Sequence, residues 1–171
     1  MDIRTVKLFA KYTAHTNEEM NKLIRSLSQE QWDHQFGGFF PSIHALCNHL
    51  YVSDFLWLKR FSQLREFTYS RHDLFKQTFA FNATAIGTLD DYLEKRETMD
   101  TYITEFINEV TQEDLEKQFT YTDAKGNTYT RIFGGLILHM FNHETHHRGM
   151  IALYLDELGI QNDFSSFAAI L

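Results

Sequence analysis

The segment 139-HMFNHETHHRGM-150 contains His143-Glu144-Thr145-His146-His147, an H-E-x-x-H pattern. In zinc peptidases that pattern sets two imidazoles on one helical face and uses the glutamate as a general base. Residues four apart on an α-helix share a face, so His143 and His147 can aim both lone pairs at one ion. His139 extends the stripe by another turn while drifting around the axis, which makes it a poorer simultaneous ligand. His146 projects about 100° from His147 and points elsewhere. Neutral imidazole suits zinc, nickel, copper, cobalt and iron alike, so the ligand type does not choose the metal.

Chemistry at such an ion needs at least a third ligand and an open position. The candidate is His49, on the mostly apolar face of Ala45, Leu46, Val52, Ser53, Leu56 and Trp57. A histidine within a core face needs partners for its ring nitrogens, and a metal is one way to supply them. His44 falls about 140° away around the same helix and His34 lies in a connecting segment, so both are expected at the surface. The peptidase chemistry finds less support. The extended motif of one peptidase class places Gly and a third His where this chain has Met150 and Leu153. Asp156 and Glu157 lie on the same continuing helix, which cannot bend back to the ion. Glu144 is therefore expected to face outward.

These residues need helices to position them. Val6, Phe9, Met20, Ile24 and Leu27 recur at helical spacing over residues 3–27, with Thr13 and Thr16 in the same stripe. A second long helix is predicted from about Pro41 to Phe61 and a third after Thr88, with Asp90 and Asp91 in its first turn. The third carries Tyr92, Met99, Ile103, Phe106 and Val110 on one face. Residues 62–87 have no definite pattern. FTYTDAKGNTYTR (119–131) alternates Thr and Tyr around Gly126-Asn127, which predicts a short peripheral β-hairpin. A fourth helix covers about 132–158 and stops at Gly159. Ser28-Gln-Glu-Gln-Trp-Asp-His-Gln-Phe36 is echoed by Thr111-Gln-Glu-Asp-Leu-Glu-Lys-Gln-Phe119, each following one long helix and preceding another. The expected fold is all-α: one four-helix bundle domain over residues 1–171, with the hairpin at its edge.

Composition narrows the function. The net charge is −7 with no Lys/Arg cluster, which argues against a nucleic-acid partner. The lone Cys47 sits in an apolar stretch and is expected to be an inert core thiol. No secretory h-region and no membrane-length apolar run occur, so a cytoplasmic protein is expected, with no membrane partner. Aromatic residues make up 15% of the chain against a single proline, which favours aromatic-packed helices.

Leu138-His-Met-Phe-Asn-His-Glu-Thr-His-His-Arg-Gly149, preceded by an aromatic hairpin, resembles the DinB/YfiT superfamily over nearly the whole chain. So does Ile43-His-Ala-Leu-Cys-Asn-His-Leu50, followed by Asp54-Phe-Leu-Trp57. The resemblance implies an up-up-down-down-like bundle with a divalent metal, such as zinc or nickel, on three histidines, which by position are His49, His143 and His147. It also implies a homodimer. Its best understood members are thiol S-transferases and isomerases that use the metal to activate a low-molecular-weight thiol such as bacillithiol or mycothiol. The family string often continues with Gln after Arg-Gly, where this chain has Met150, so no role is carried over to that position. The leading expectation is a thiol S-transferase acting on small electrophiles. Thr13, Thr16 and Asn17 are candidates to line its cavity or else surface residues of the first helix. Arg148 is a candidate for a cofactor carboxylate or a salt bridge to a bundle neighbour. A non-catalytic metal-binding stress-response protein is the alternative, and a metallopeptidase the least favoured.

Overall fold

In the computed structural model, which describes residues 1–171, six helices and one hairpin follow each other along the chain. They are α1 (Ile3–Ile24), α2 (Gln29–Asp33), α3 (Ile43–Phe61), α4 (Leu89–Glu109), α5 (Gln112–Glu116), β1 (Gln118–Thr122), β2 (Thr128–Ile132) and α6 (Phe133–Glu157). Side-chain caps set the helix starts: Asp2, Ser42 and Thr88 each accept a backbone N–H from the first turn of α1, α3 and α4. Ser28 and Thr111 form full capping boxes with Gln31 and Asp114, so the two echoed segments are the same device used twice. β2 runs straight into α6, whose Phe133 N–H donates to Lys117 O at 2.9 Å. Gly159 (φ +76°) ends α6, with Ile160 N–H returning to Leu155 O at 2.9 Å.

Side-chain pairings give the helix directions. Tyr92 reaches Asn21 and Asp100 reaches Asn17, so α4 runs antiparallel to α1. Asp54 meets Arg96 and Phe61 meets Phe106, so α3 runs parallel to α4. His49 meets His143, Trp57 meets His139 and Phe61 meets Phe133, so α6 opposes α3. The order is up-down-down-up, which corrects the expected up-up-down-down arrangement. Parallel neighbours require the chain to travel back along the bundle before starting again, about 28 Å for a helix the length of α3. Residues 62–88 do this, which explains their lack of a single period. Turns of 3-10 helix at Thr68–Arg71 and Asp73–Lys76 punctuate the return. Tyr69 pins it by donating to Leu58 O at 2.6 Å.

The core is aromatic at the hairpin end, where Phe61 packs on Phe106, Phe119 and Phe133 at ring distances of 5.3, 6.4 and 5.1 Å. Cys47 is fully buried, and burial pushes its thiol up to about 12, so it is an inert core group. The hairpin is antiparallel, with Thr120 opposite Thr130 and Thr122 opposite Thr128. Beyond α6 the chain crosses α1, where Tyr12 donates to Ser165 O at 2.8 Å and packs at a tilt against Phe167. No helix is long and apolar enough to cross a membrane.

Candidate metal centre

Two antiparallel helices, α3 and α6, bring His49, His143 and His147 together, with candidate ligand nitrogens all within 4.8 Å of one another. His49 Nε2 and His143 Nε2 lie 3.0 Å apart, and the ring centroids of His49 and His147 are 4.6 Å apart. A tetrahedral ion at about 2.0–2.1 Å from each nitrogen spaces its ligands about 3.3 Å apart, so the cluster has the size of a first coordination sphere. His147 Nδ1 is buried and has no hydrogen-bond partner in the protein. Burial, reinforced by the neighbouring imidazoles, holds His143 down to about 3 and His147 down to about 4. Burial alone lowers His49. At neutral pH all three rings are neutral, so each can turn a lone pair to a cation in place of the His49–His143 hydrogen bond, and the residues present fit a divalent metal.

Local structure holds these rings in place. Asn48, beside His49, accepts Ala85 N–H at 2.8 Å and Ile86 N–H at 3.0 Å and donates to Ala83 O at 2.9 Å. That clamp draws in the loop whose Phe81 ring stands 5.8 Å from His49. On the other side, Gly37 and Gly38 take φ of +84° and +81°, turning the chain so that Phe40 lies over the site. Phe40 is 4.4 Å from His49 and 5.2 Å from His147, and Tyr154 fixes its carbonyl at 2.8 Å. Neither phenylalanine carries a polar signal, and both sit in loops, so helical spacing had no means of finding them.

The other histidines divide as follows. His139 is exposed, 6.3 Å from His143, and His146 is exposed beside His147. His34 is exposed as expected. His44 is half-buried instead of at the surface, because its ring stacks on Trp32 and is held by Asp33 at 2.8 Å and Ile86 O at 3.1 Å.

Glu144 does not face outward. It is only 1% exposed, and its Oε2 accepts from Arg148 at 2.9 Å and from Asn17 at 3.4 Å. One residue of helix turns it about 100° from His143 into the bundle centre, where Arg148 compensates its charge. Arg148 is buried as well, donating to Asn17 Oδ1 at 3.0 Å, so it is spent inside the core and does not present itself to a cofactor. Thr13, Thr16 and Asn17 are likewise core residues, 2%, 0% and 2% exposed, and not part of the helix surface. Asn17 continues the lattice to Asp100 at 2.8 Å, and Arg96 joins Asp100 at 2.7 Å to Asp54 at 2.5 Å. Burial pushes Glu144 up to about 7 and Asp100 up to about 6, and raises Asp54 too. With its carboxylate held this way, Glu144 is not a general base over the histidines, and the peptidase chemistry has no base. Asp54 and Arg96 were not anticipated as a pair. The available signal was a charge within the apolar run 50-LYVSDFLW-57.

Residues 2–164 match the DinB family. The chain belongs to the DinB family. It is 27% identical over 150 residues to Protein DinB of Bacillus subtilis (strain 168), covering 86% of this chain and 83% of that protein. A crystal structure of a DinB-like protein (YjoA) from Bacillus subtilis has a TM-score of 0.62 at 20% identity, covering 91% of this chain and 94% of that one. That structural likeness speaks for the fold.

Proposed function

We propose that this DinB protein is a metal-dependent thiol S-transferase, with zinc or nickel on His49, His143 and His147 and a low-molecular-weight thiol as nucleophile. The observation that carries this reading is the convergence of three neutral imidazoles with no carboxylate among them. Three protein ligands leave at least one position for a reactant, whereas a purely structural site closes with four. When bound, the ion supplies Lewis acidity, which favours the thiolate over the thiol. The chain's own part is to hold three lone pairs at one point and to narrow the approach of water with Phe40 and Phe81. In the reaction a sulfur–carbon bond forms to a small electrophile as its leaving group departs, and the thiol proton passes to solvent. We further propose a cytoplasmic homodimer, which light scattering of the purified protein tests.

Elemental analysis of wild type, His49→Ala and His147→Ala tests the ligand set. Stoichiometric metal is expected in wild type only, and its retention in both variants sinks the assignment. Metal-loaded protein is then incubated with a panel of thiols and monobromobimane or chlorodinitrobenzene. Metal-dependent acceleration with at least one thiol is expected. No acceleration with any thiol returns the protein to a non-catalytic metal-binding role.

A further inference from the structure

Beside the three histidines, α3 and the hairpin tip enclose a groove of about 410 Å³, within the size range of small-molecule sites. Phe81 belongs to both places, since it stands against His49 and also lines the groove. Trp57, Tyr121 and Tyr129 supply aromatic walls, and Trp57 also touches His139 at a ring distance of 5.2 Å. His49, Ser53, Trp57 and Arg60 follow at steps of four, four and three residues, so one stripe of α3 runs from the histidines down the groove.

At the far end of that stripe stands Arg60. Its guanidinium carbon lies 4.9 Å from the Trp57 ring and 5.8 Å from the Tyr121 ring. Arg65, Arg71, Arg96 and Arg148 each hold a carboxylate. Arg60 is the one half-buried arginine with neither a carboxylate partner nor a hydrogen bond. Burial lowers its pKa, with Tyr121 and Asp123 opposing that shift only in part, so the cation has lost water which no hydrogen bond in the chain replaces. Lys125 adds a second cation at the rim. The acidic group nearby, Asp123, is tied into the turn, accepting Lys125 N–H at 2.8 Å and Asn127 N–H at 2.9 Å. Arg60 and Lys125 against Asp123 leave the groove one positive charge in excess.

We infer that this groove binds a small organic anion, its carboxylate on Arg60 and its flat apolar body between Trp57, Tyr121 and Phe81. The planar fork of a guanidinium suits a carboxylate, and the rings that flank it suit an apolar body with planar faces. His49 and Arg60 are about 16 Å apart along the helix axis, so a ligand touching both ends is elongated. The groove's place beside the histidines makes this anion a reactant of the proposed transfer, and to that extent the assignment rests on that reading. Binding itself does not need the ion.

Calorimetric titration with 2-naphthylacetate and with its neutral isostere 2-naphthylacetamide, on metal-free and metal-loaded protein, tests this. The acid is expected to bind at least about 10-fold more tightly than the amide in both forms, the size of one charge-assisted contact. Arg60→Gln is expected to abolish that preference while Arg60→Lys keeps part of it, each variant checked by thermal melting. Equal affinities in wild type, no saturable binding of the acid, or a preference that survives in folded Arg60→Gln overturns the inference. The wild-type comparison stands even if a variant misfolds. An Arg60-dependent preference without metal-dependent conjugation supports the groove and sinks the transferase. Conjugation without the preference does the reverse.

Discussion

His143 and Glu144 are adjacent in the chain and serve opposite regions of the molecule. The histidine turns toward α3, where three imidazoles converge and no carboxylate joins them. The glutamate turns toward the bundle centre, where Asn17, Arg96, Arg148, Asp54 and Asp100 of four helices hold one another at ion-pair and hydrogen-bond distances. The first region leaves His147 Nδ1 unpartnered and its other nitrogens held by nothing stronger than a neighbouring imidazole, and the second spends most of its charge internally. Unspent lone pairs beside a groove are what a reactive site needs, whereas internally paired charges specify how helices dock. The H-E-x-x-H string thus straddles a candidate metal site and a structural lattice, and only His143 and His147 belong to the first.

The sharpest break in this comparison comes from removing a ligand. His147→Ala is expected to lower metal affinity by about 100-fold or more, since a two-histidine site remains. The metal-free fold should stay within about 1 kcal/mol of wild type, because a crowded neutral ring is lost and no ion pair is touched. Competition with a chromophoric chelator reads the affinity and urea unfolding reads the stability. A large loss of stability with metal retained would place His147 in the lattice.

Asp54→Ala should give the mirror image. Arg96 would be left buried beside Asp100 alone, at an expected cost of about 3–5 kcal/mol. Metal binding by the folded fraction should persist, because Asp54 touches none of the three histidines. Urea unfolding and metal content on one preparation decide it, and a stability change under about 1 kcal/mol would mean the lattice is ornamental.

How far these regions were legible in the sequence follows the same division. The four long helices and the His143–His147 spacing are local or periodic features: Thr88 and Gly159 stand where the chain's own spacing puts them, whereas α3 starts two residues later than expected, with Pro41 ahead of the Ser42 cap and not in the first turn. The lattice is local only in its two i,i+4 pairs, Glu144–Arg148 and Arg96–Asp100. Asn17, Asp54, Asp100 and Glu144 come from four different helices, and nothing within any one helix says which charge another will meet. Glu144 is half an exception: its partner Arg148 stands four residues along the same helix, but Asn17 of α1, which meets both, draws the pair into the core. The up-down-down-up order was hidden likewise in residues 62–88, whose path depends on where α4 must begin.

Acid should pull the two regions apart. The folded pKa values of His143, about 3, and His147, about 4, lie below the unfolded value of 6.5, and His49 is lowered too. Between these limits the unfolded chain binds more protons, so this region's contribution is present above pH 6.5 and is lost as pH falls toward 4. Metal affinity should fall in the same direction. Glu144 and Asp100 have the opposite sign. Their folded values of about 7 and about 6 exceed the ordinary carboxylate range, so their contribution is present in acid and is lost as pH rises toward 7. Urea unfolding from pH 4 to 8, with and without metal, should show the acid side steepened by metal. An identical profile in both arms would mean that the ion does not use these imidazoles.

The mildest change is Glu144→Gln, and it separates the regions most finely because it alters the residue between the two candidate ligands without altering its shape. With the carboxyl raised to about 7, the wild-type side chain is largely protonated at pH 6, and an amide is close to that form. The variant's stability at pH 6 is therefore expected within about 1 kcal/mol of wild type, with Arg148 still donating to the amide oxygen. As pH rises toward 8 the wild type ionises and the amide does not, so the loss of stability with pH should be shallower in the variant by up to one proton's worth. Asp100 and Asp54 keep the rest of the slope. Metal content and any thiol-conjugation rate should be unchanged, since no general-base role is assigned to Glu144. A fall in both, with the fold intact, would show that the lattice holds the His143–His147 pair in register and that the two regions are coupled through a single helical step.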